Sequence, residues 1–434
     1  MMNLLNKKIS VIGLGKSGFE SARFLKRMGA HVFASESQSN ESFLTKKKDL
    51  ERLGVEVEIG THTRERILES DFAVVSPGIS PKTEIYQLLA EKQVPIWSEI
   101  ELAYRFCPAP IIAVTGTNGK TTVTTLIRDL LRSEGHHAVS CGNIGNPFVA
   151  ELPTLTEKSI VVLEASSFQL QNIHEFRPHI AVLLNLTDNH FDWHGDFKSY
   201  TNAKWKIFKN QSSHDYALIN AEDIESMRRI ESVKSQRIYF NAAEFNNPNF
   251  SACFAVAALY RLKEANVREK LKMFRGIEHR LEEVLSKDGI CYINDSKSTT
   301  IASLGWALER MPKKVVLVMG GRHKGGDFSL LKDKMKQRVK FLVLIGESAK
   351  QIEKAFEGDV TILKAASLLE AVRHARAAAG SGSTVLFSPA CASFDMFQDY
   401  QDRGKKFKEI VSSFQNAGLE TDSKSSEFVN SSFS

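Results

Sequence analysis

The chain opens on short apolar runs separated by polar stretches with helical spacing. Residues 9–13 form the first run and predict a strand. Residues 16–28 follow with Phe19, Ala22, Phe24 and Leu25 on one side, the spacing of a helix that buries one face. Residues 31–34 and 72–75 read as further strands, the second stopped by Ser76-Pro77-Gly78. The rhythm recurs with strands at 111–115, 138–140, 160–164, 180–186 and 217–220, and with a helix over 120–133. A longer helix-period segment covers 248–264, with Pro248 placed near its start. Residues 280–284 and 290–294 read as a hairpin around Lys287-Asp288-Gly289. Residues 315–320, 341–345 and 384–387 are continuous apolar runs of the kind buried on both faces. This strand–helix alternation implies an α/β fold of parallel sheets covered by helices.

Composition narrows the class. A chain of 434 residues suggests about three domains. With 42% hydrophobic and 25% charged residues, wholesale disorder, collagen and coiled coil are excluded. The net charge of +6 is too thinly spread to argue for nucleic acid and suits a small anionic substrate. Five scattered cysteines with no CxxC pair speak against a disulfide framework or a zinc site. The longest apolar runs fall short of the roughly 18 residues that span a bilayer, and no secretory leader is visible. The expectation is a reduced cytoplasmic enzyme with no membrane or nucleic-acid partner. Residues 420–434, rich in Ser, read as a flexible tail.

The strongest chemical signal is Gly116-Thr117-Asn118-Gly119-Lys120-Thr121-Thr122, directly after a strand and opening a helix. Its GxxGK[ST] spacing is two residues shorter between the glycines than the usual P-loop. Backbone N–H groups of such a loop curl around phosphate oxygens, Lys120 reaches the β/γ-phosphates, and Thr121 ligates Mg²⁺. Gly13-x-Gly15-x-x-Gly18 follows the first strand, with Glu36 about 20 residues on. It reads as a dinucleotide fingerprint, as a tight βα turn, or as a loop for another nucleotide's pyrophosphate. Ser76-Pro77-Gly78-Ile79 lies at the carboxyl edge of the same sheet. Glu164 ends a strand facing the P-loop and is either a Mg²⁺ ligand or a solvated carboxylate. The run 185–194 gathers Asp188, His190, Asp192 and His194, which hold a cation or substrate, or cap a helix. His279-Arg280 and the run 294–300 offer charge for phosphate and a carboxylate, Asp295, for ribose. Cys391 reads as a buried thiol rather than a nucleophile.

Taken together, GTNGKTT, EASSFQL, NLTDNHFDWH, GIEHR, NDSKSTT, GGRHKGGDF and SPACASFD occur here in one order. The chain thereby resembles the Mur ligase family, the ATP-dependent amino-acid ligases of peptidoglycan precursor synthesis. GLGKSG and SPGI extend the resemblance across nearly the whole chain, and no D-N-P-R motif points to the diamino-acid-adding member.

The resemblance implies three domains. A Rossmann-like N-terminal domain (1–98) would bind a UDP substrate, a P-loop-type central domain (99–277) ATP, and a Rossmann-like C-terminal domain (278–419) the amino acid. It implies a monomer that joins D-glutamate to UDP-N-acetylmuramoyl-L-alanine through an acyl phosphate. Two Mg²⁺ ions would be held by Thr121, Glu164, His190 and Lys204, the last carbamylated within Tyr200-Thr201-Asn202-Ala203-Lys204. Lys120, His190 and Lys204 would be catalytic. Residues 116–122, Asn246, Asn249, Arg280 and Asp295 would bind ATP. Gly15, Ser17, Glu36, Ser76 and Asn143 would bind the UDP substrate, and Lys297, Thr299, Ser393 and Tyr400 the amino acid. Phe245, Asn189 and Thr300 stand where the family usually has His, Asp and Asn. The alternatives are another ligase of the superfamily, adding L-alanine or acting on folate, a catalytically dead scaffold, and a dinucleotide oxidoreductase.

Overall fold

The computed structural model describes residues 2–187, 191–274, 276–287, 289–323 and 325–416. Asp188, His190 and the tail at 420–434 lie outside them. The chain divides into two compact units, Met1–Phe274 and Arg275–Ser434.

The first unit holds two parallel sheets. One contains β1 (Lys8–Ile12), β2 (His31–Glu36), β3 (Glu56–Ile59), β4 (Phe72–Val75) and β5 (Ile96–Trp97), in the order β3-β2-β1-β4-β5. The other contains β6 (Ile111–Thr115), β7 (His137–Gly142), β8 (Ser159–Glu164), β9 (Ile180–Leu183), β10 (Tyr216–Asn220) and β11 (Gln236–Phe240), in the order β11-β10-β9-β6-β8-β7. The second unit holds β12 (Glu282–Lys287), β13 (Ile290–Asn294), β14 (Val315–Gly320), β15 (Val339–Ile345), β16 (Thr361–Lys364) and β17 (Thr384–Phe387). Its order is β12-β13-β17-β14-β15-β16, parallel except for the β12–β13 hairpin.

The expected parallel sheets are therefore present. β4, β6, β9 and β14 are buried at every residue, because helices cover both faces and leave no solvent side to alternate toward. In the first sheet the order reverses at β1, and in the second at β6. Such reversals open a crevice at the carboxyl ends of the strands, where ligands of open α/β sheets bind. The loop after β1 is tight. A Cβ on Gly18 would lie 1.9 Å from the Gly13 carbonyl oxygen, so only glycine lets the helix Lys16–Arg27 start this close to the strand end.

Several elements differ from the sequence reading. β9 ends at Leu183 rather than at 186, because the Leu184 N–H still bonds to the Thr115 carbonyl but Asn185 turns aside onto the Gly116–Thr122 loop. The segment 248–264 splits into helices Pro248–Leu259 and Glu264–Met273. Arg261 breaks it with φ +54, a left-handed residue that ends the first helix. The hairpin's first strand starts at Glu282, leaving Arg280 in the preceding turn. All five cysteines are free, with Cys141, Cys253 and Cys391 buried. Among the described residues no helix is long and apolar enough to cross a membrane.

Two carboxylates of the helix Glu99–Tyr104 fasten it to backbone that flanks the second sheet. The Glu101 carboxylate accepts the backbone N–H groups of His174, Glu175 and Phe176 and pairs with Arg105, so its charge is fully engaged. Glu99 is less well served. Its Oε1 accepts the Val149 N–H at 2.6 Å, while its Oε2 is buried without a partner. Burial pushes its carboxyl up to about 7 from an ordinary 4.5. Between those values the folded chain holds a proton that the unfolded chain has released, so the contribution is full below about 4.5 and lost as pH rises through about 7. Glu99→Gln is expected to flatten this decline and to stabilise the chain above pH 7 by on the order of 3 kcal/mol. Denaturation midpoints of the two proteins across that range check it, and parallel pH profiles would contradict it.

Candidate active site

The Gly116–Thr122 loop joins β6 to the helix Lys120–Ser133, so backbone N–H groups and the helix N-terminus face one small space. Gly119 has φ +85, and a Cβ there would come within 2.5 Å of the Asn249 side-chain oxygen. The amide of Asn249 thus lies directly on the loop. Asn185 clasps it from the other side, its carbonyl accepting the Thr117 N–H at 2.9 Å and its Oδ1 the Asn118 N–H at 2.8 Å. The Thr117 hydroxyl meets the Tyr200 hydroxyl at 3.0 Å and accepts the Thr187 N–H.

Two lysines converge on one carbonyl of this loop. Lys120 Nζ donates to the carbonyl oxygens of Gly116 and Thr117, each at 2.9 Å. Lys204, from the helix Phe197–Trp205, donates to the same Gly116 oxygen at 2.8 Å and lies over the Tyr200 ring. Lys204 is only 2% exposed. Burial first, and then the charge of Lys120, hold its pKa well below the ordinary lysine value, with Glu164 opposing. Glu164 ends β8 and is 2% exposed. Its Oε1 accepts from the Asn143 amide at 2.7 Å, while its Oε2 is buried with no partner. Thr121 is buried at the start of the helix. Among the described residues no three His, Cys, Asp or Glu side chains cluster as a ready metal site. His190 lies outside them. His194, from the same run, contacts the Ser167 hydroxyl at 3.0 Å and stacks on Phe168.

The Ser76 hydroxyl donates to the Gly13 carbonyl at 2.8 Å, fastening the loop after β4 to the loop after β1, where Gly15 precedes the helix that carries Ser17. Both Glu36 oxygens are engaged by backbone, from Leu14 at 2.8 Å and Gln38 at 3.0 Å, so this carboxylate closes the turn. Two lysines missed in the sequence reach the same turn region. Lys46 Nζ donates to the Leu14 carbonyl, and Lys16 Nζ to the Gly145 carbonyl, each at 2.8 Å. Lys16 sits inside the glycine motif itself, which was the available signal. Nothing in the sequence marked Lys46. Phe245 meets Phe254 in a tilted ring contact under the Arg268 guanidinium, an aromatic role rather than a polar one. Asn246 is left-handed at φ +50, and the neighbouring Asn247 caps the helix Pro248–Leu259.

In the second unit the loops after β13 and β17 are fastened side by side. The Ser388 hydroxyl donates to Asp295 Oδ2 at 2.7 Å, and the Ala390 N–H bonds to the Ser298 carbonyl. The buried Arg403 donates to the Ser296 hydroxyl and carbonyl and to the Cys391 carbonyl. The loops bearing Lys297, Thr299 and Ser393 are thereby held together, and the Ser296 hydroxyl donates to the Tyr400 carbonyl. Burial pushes the Asp295 carboxyl up to about 6 despite its hydrogen bonds and the nearby Arg280. The Arg280 guanidinium stands 5.5 Å from the Trp306 ring centroid.

A phosphate-cradling loop with an orphaned carboxylate oxygen and a buried lysine beside it defines a P-loop nucleotide-binding protein. Three family models cover most of the chain: "Mur ligase MurD-like, N-terminal domain" at 7–98, "Mur ligase middle domain" at 114–281 and "Mur ligase, glutamate ligase domain" at 279–391. The chain belongs to the Mur ligase family. It is 40% identical to the UDP-N-acetylmuramoylalanine--D-glutamate ligase of Chlorobaculum tepidum, over 94% of this chain and 98% of that protein. To the protein of the same name from Chloroherpeton thalassium it is 37% identical, over 93% and 98%. Two solved Thermotoga maritima structures share the fold. One is UDP-N-acetylmuramate-alanine ligase MurC, with TM-score 0.53 and 18% identity over 95% of this chain and all of that one. The other is MurF ligase in complex with ADP, with TM-score 0.52 and 14% identity over 94% of each chain.

Because Gly119 is both left-handed and pressed against Asn249, Gly119→Ala is expected to weaken ADP binding at least tenfold while the chain still folds. Calorimetric titration with ADP beside a thermal melt checks this. Unchanged affinity would show that the loop tolerates the methyl group.

Proposed function

We infer that the protein is an ATP-dependent ligase that joins D-glutamate to UDP-N-acetylmuramoyl-L-alanine in peptidoglycan precursor synthesis, releasing ADP and phosphate. The observation that carries this reading is the Gly116 site, two lysines and one half-satisfied carboxylate around a phosphate loop, in a chain whose full-length relatives are named for that reaction. The L-alanyl carboxylate attacks the γ-phosphate of ATP, giving an acyl phosphate and ADP. The amine of D-glutamate then attacks the acyl carbon, and the tetrahedral adduct collapses to the amide and phosphate.

The first step brings two anions together, so the site must neutralise charge and hold the partners in line. Lys120 now spends its ammonium on two neutral carbonyls, and a bound phosphate is a stronger acceptor that would draw it off them. The residues present fit Mg²⁺. Glu164 Oε2 is an orphaned buried anion oxygen, and Thr121 lies buried in the first turn of the helix that follows the phosphate loop. Lys204 is biased toward its neutral amine, the form that adds CO₂ to become a carbamate. We assign Thr121, Glu164, His190 and carbamylated Lys204 to hold two Mg²⁺ ions. When bound, these would neutralise phosphate charge beyond what Lys120 supplies. We assign ATP contacts to Asn246 and Asn249 in the first unit and to Arg280 and Asp295 in the second. Gly15, Ser17, Glu36, Ser76 and Asn143 form the UDP-substrate site, and Lys297, Thr299, Ser393 and Tyr400 receive D-glutamate. The domains follow the same division, 1–98 for the UDP substrate, 99–277 for ATP and 278–419 for the amino acid. The enzyme works as a monomer in the cytoplasm.

Phosphate release from Mg-ATP with UDP-N-acetylmuramoyl-L-alanine, across a panel of D- and L-amino acids, tests the reading. D-Glutamate is expected to be required, with a product one glutamyl residue heavier. Release that prefers L-alanine with UDP-N-acetylmuramate would overturn the substrate assignment. Lys120→Ala is expected to abolish turnover in a folded protein. Lys204→Ala is expected to be inactive and partly rescued by acetate, a short carboxylate standing in for the carbamate; wild-type rates in this variant would sink the carbamate role.

A further inference from the structure

A cavity of about 340 Å³ opens in the first unit between the helix Lys16–Arg27 and residues 149–153. Its walls are apolar, formed by Phe24, Phe106, Val149 and Leu152, with the Phe24 and Phe106 rings in edge contact at 5.1 Å. No residue of the Gly116–Thr122 loop lines it. A chamber of this size accepts a small organic ligand. One helix supplies all the charge at its rim. Glu20 and Arg23 neutralise each other in a pair of hydrogen bonds at 3.0 and 3.1 Å. Arg27, one turn further on, is exposed and makes no ion pair or hydrogen bond among the described residues. The rim therefore carries one uncompensated positive charge over an apolar floor.

From this complementarity we propose that the cavity binds an amphipathic monoanion, an apolar body of one or two rings or a medium alkyl chain bearing a single carboxylate or sulfonate. A polar ligand would gain nothing from the phenylalanine walls, and a cation would meet Arg27. The apolar body replaces water against Phe24 and Phe106, and the anion pairs with the free guanidinium.

The cavity's walls lead to the candidate site. The helix Lys16–Arg27 begins at the Gly13–Gly18 turn, and Lys16 donates to the Gly145 carbonyl. Residues 149–153 follow the loop that bears Asn143, whose amide holds Glu164. The proposed binding does not rest on the ligase reading.

The probe is 8-anilinonaphthalene-1-sulfonate, added to the full folded chain and followed by its fluorescence, with its uncharged counterpart N-phenyl-1-naphthylamine in parallel. Saturable binding of one sulfonate per chain is expected, without displacement by ADP. Ala150→Trp should fill the chamber and remove the binding. Arg27→Glu should weaken it at least fivefold, and Arg27→Lys should restore most of the loss. Thermal melts verify that each variant folds, and the exposed Arg27 pair decides the matter should Ala150→Trp not fold. No saturable binding, displacement by ADP, indifference to Arg27→Glu, or equal affinity for the uncharged counterpart would each overturn the proposal. Failure of the ligase reading shows instead as absent phosphate release with the fluorescence result intact.

Discussion

The Gly116 carbonyl is asked to accept two ammonium groups, and the chemistry of the first unit turns on that crowding. Like charges in a space shielded from water repel far more than at a surface. Among the described residues, Glu164 is the carboxylate whose charge opposes the lysines, and it gives one oxygen to Asn143 and keeps the other idle. Such a cluster reaches a comfortable state only when anions enter it or when a lysine gives up its proton. Both outcomes serve phosphate chemistry. The arrangement is poorly satisfied as it stands, and local dissatisfaction of this kind concentrates at sites that await a ligand.

The surrounding structure holds that strain in place by ordinary means. Asn185, Tyr200 and Asn249 grip the loop through neutral hydrogen bonds and close contact, adding no charge to the balance. The loop leaves a strand that is buried at every residue, so its origin cannot shift without disturbing both helical layers. The first sheet applies the same device to the turn after β1. There the Glu36 carboxylate, the Ser76 hydroxyl and Lys46 tie the turn's backbone from three sides. A carboxylate placed about where a ribose partner belongs thus also shapes the turn.

How far the sequence could be read follows from where each signal resides. β4, β6, β14 and β17 were legible to the residue, because a strand buried on both faces writes itself as an unbroken apolar run. The four unread strands, β3, β5, β11 and β16, all stand at sheet edges, where half of the side chains face solvent and the run is diluted. The break at Arg261 was hidden because its left-handed residue is not a glycine. Lys120 was legible because loop, lysine and helix adjoin in sequence. Lys204 was not, because its partner is 88 residues away and burial alone makes it unusual. Only the resemblance to the family marked it.

The second unit solves a related problem with the opposite charge. Asp295 is buried, raised to about 6, and still meets the Ser388 hydroxyl and the Leu281 N–H. Those bonds favour the carboxylate, while burial favours the neutral acid, and the net result is a carboxyl raised to about 6. Arg280, with its guanidinium over Trp306, tips that balance toward charge without a direct bond. Arg403 meanwhile fixes the loops on either side, its guanidinium spent wholly on a hydroxyl and two carbonyls. Among the described residues Arg403 is thus locked into architecture, while Arg280 meets the Trp306 ring and makes no side-chain hydrogen bond or ion pair. Two guanidiniums on one scaffold acquire different work because their neighbours differ, backbone and hydroxyl oxygens for one and an aromatic face for the other.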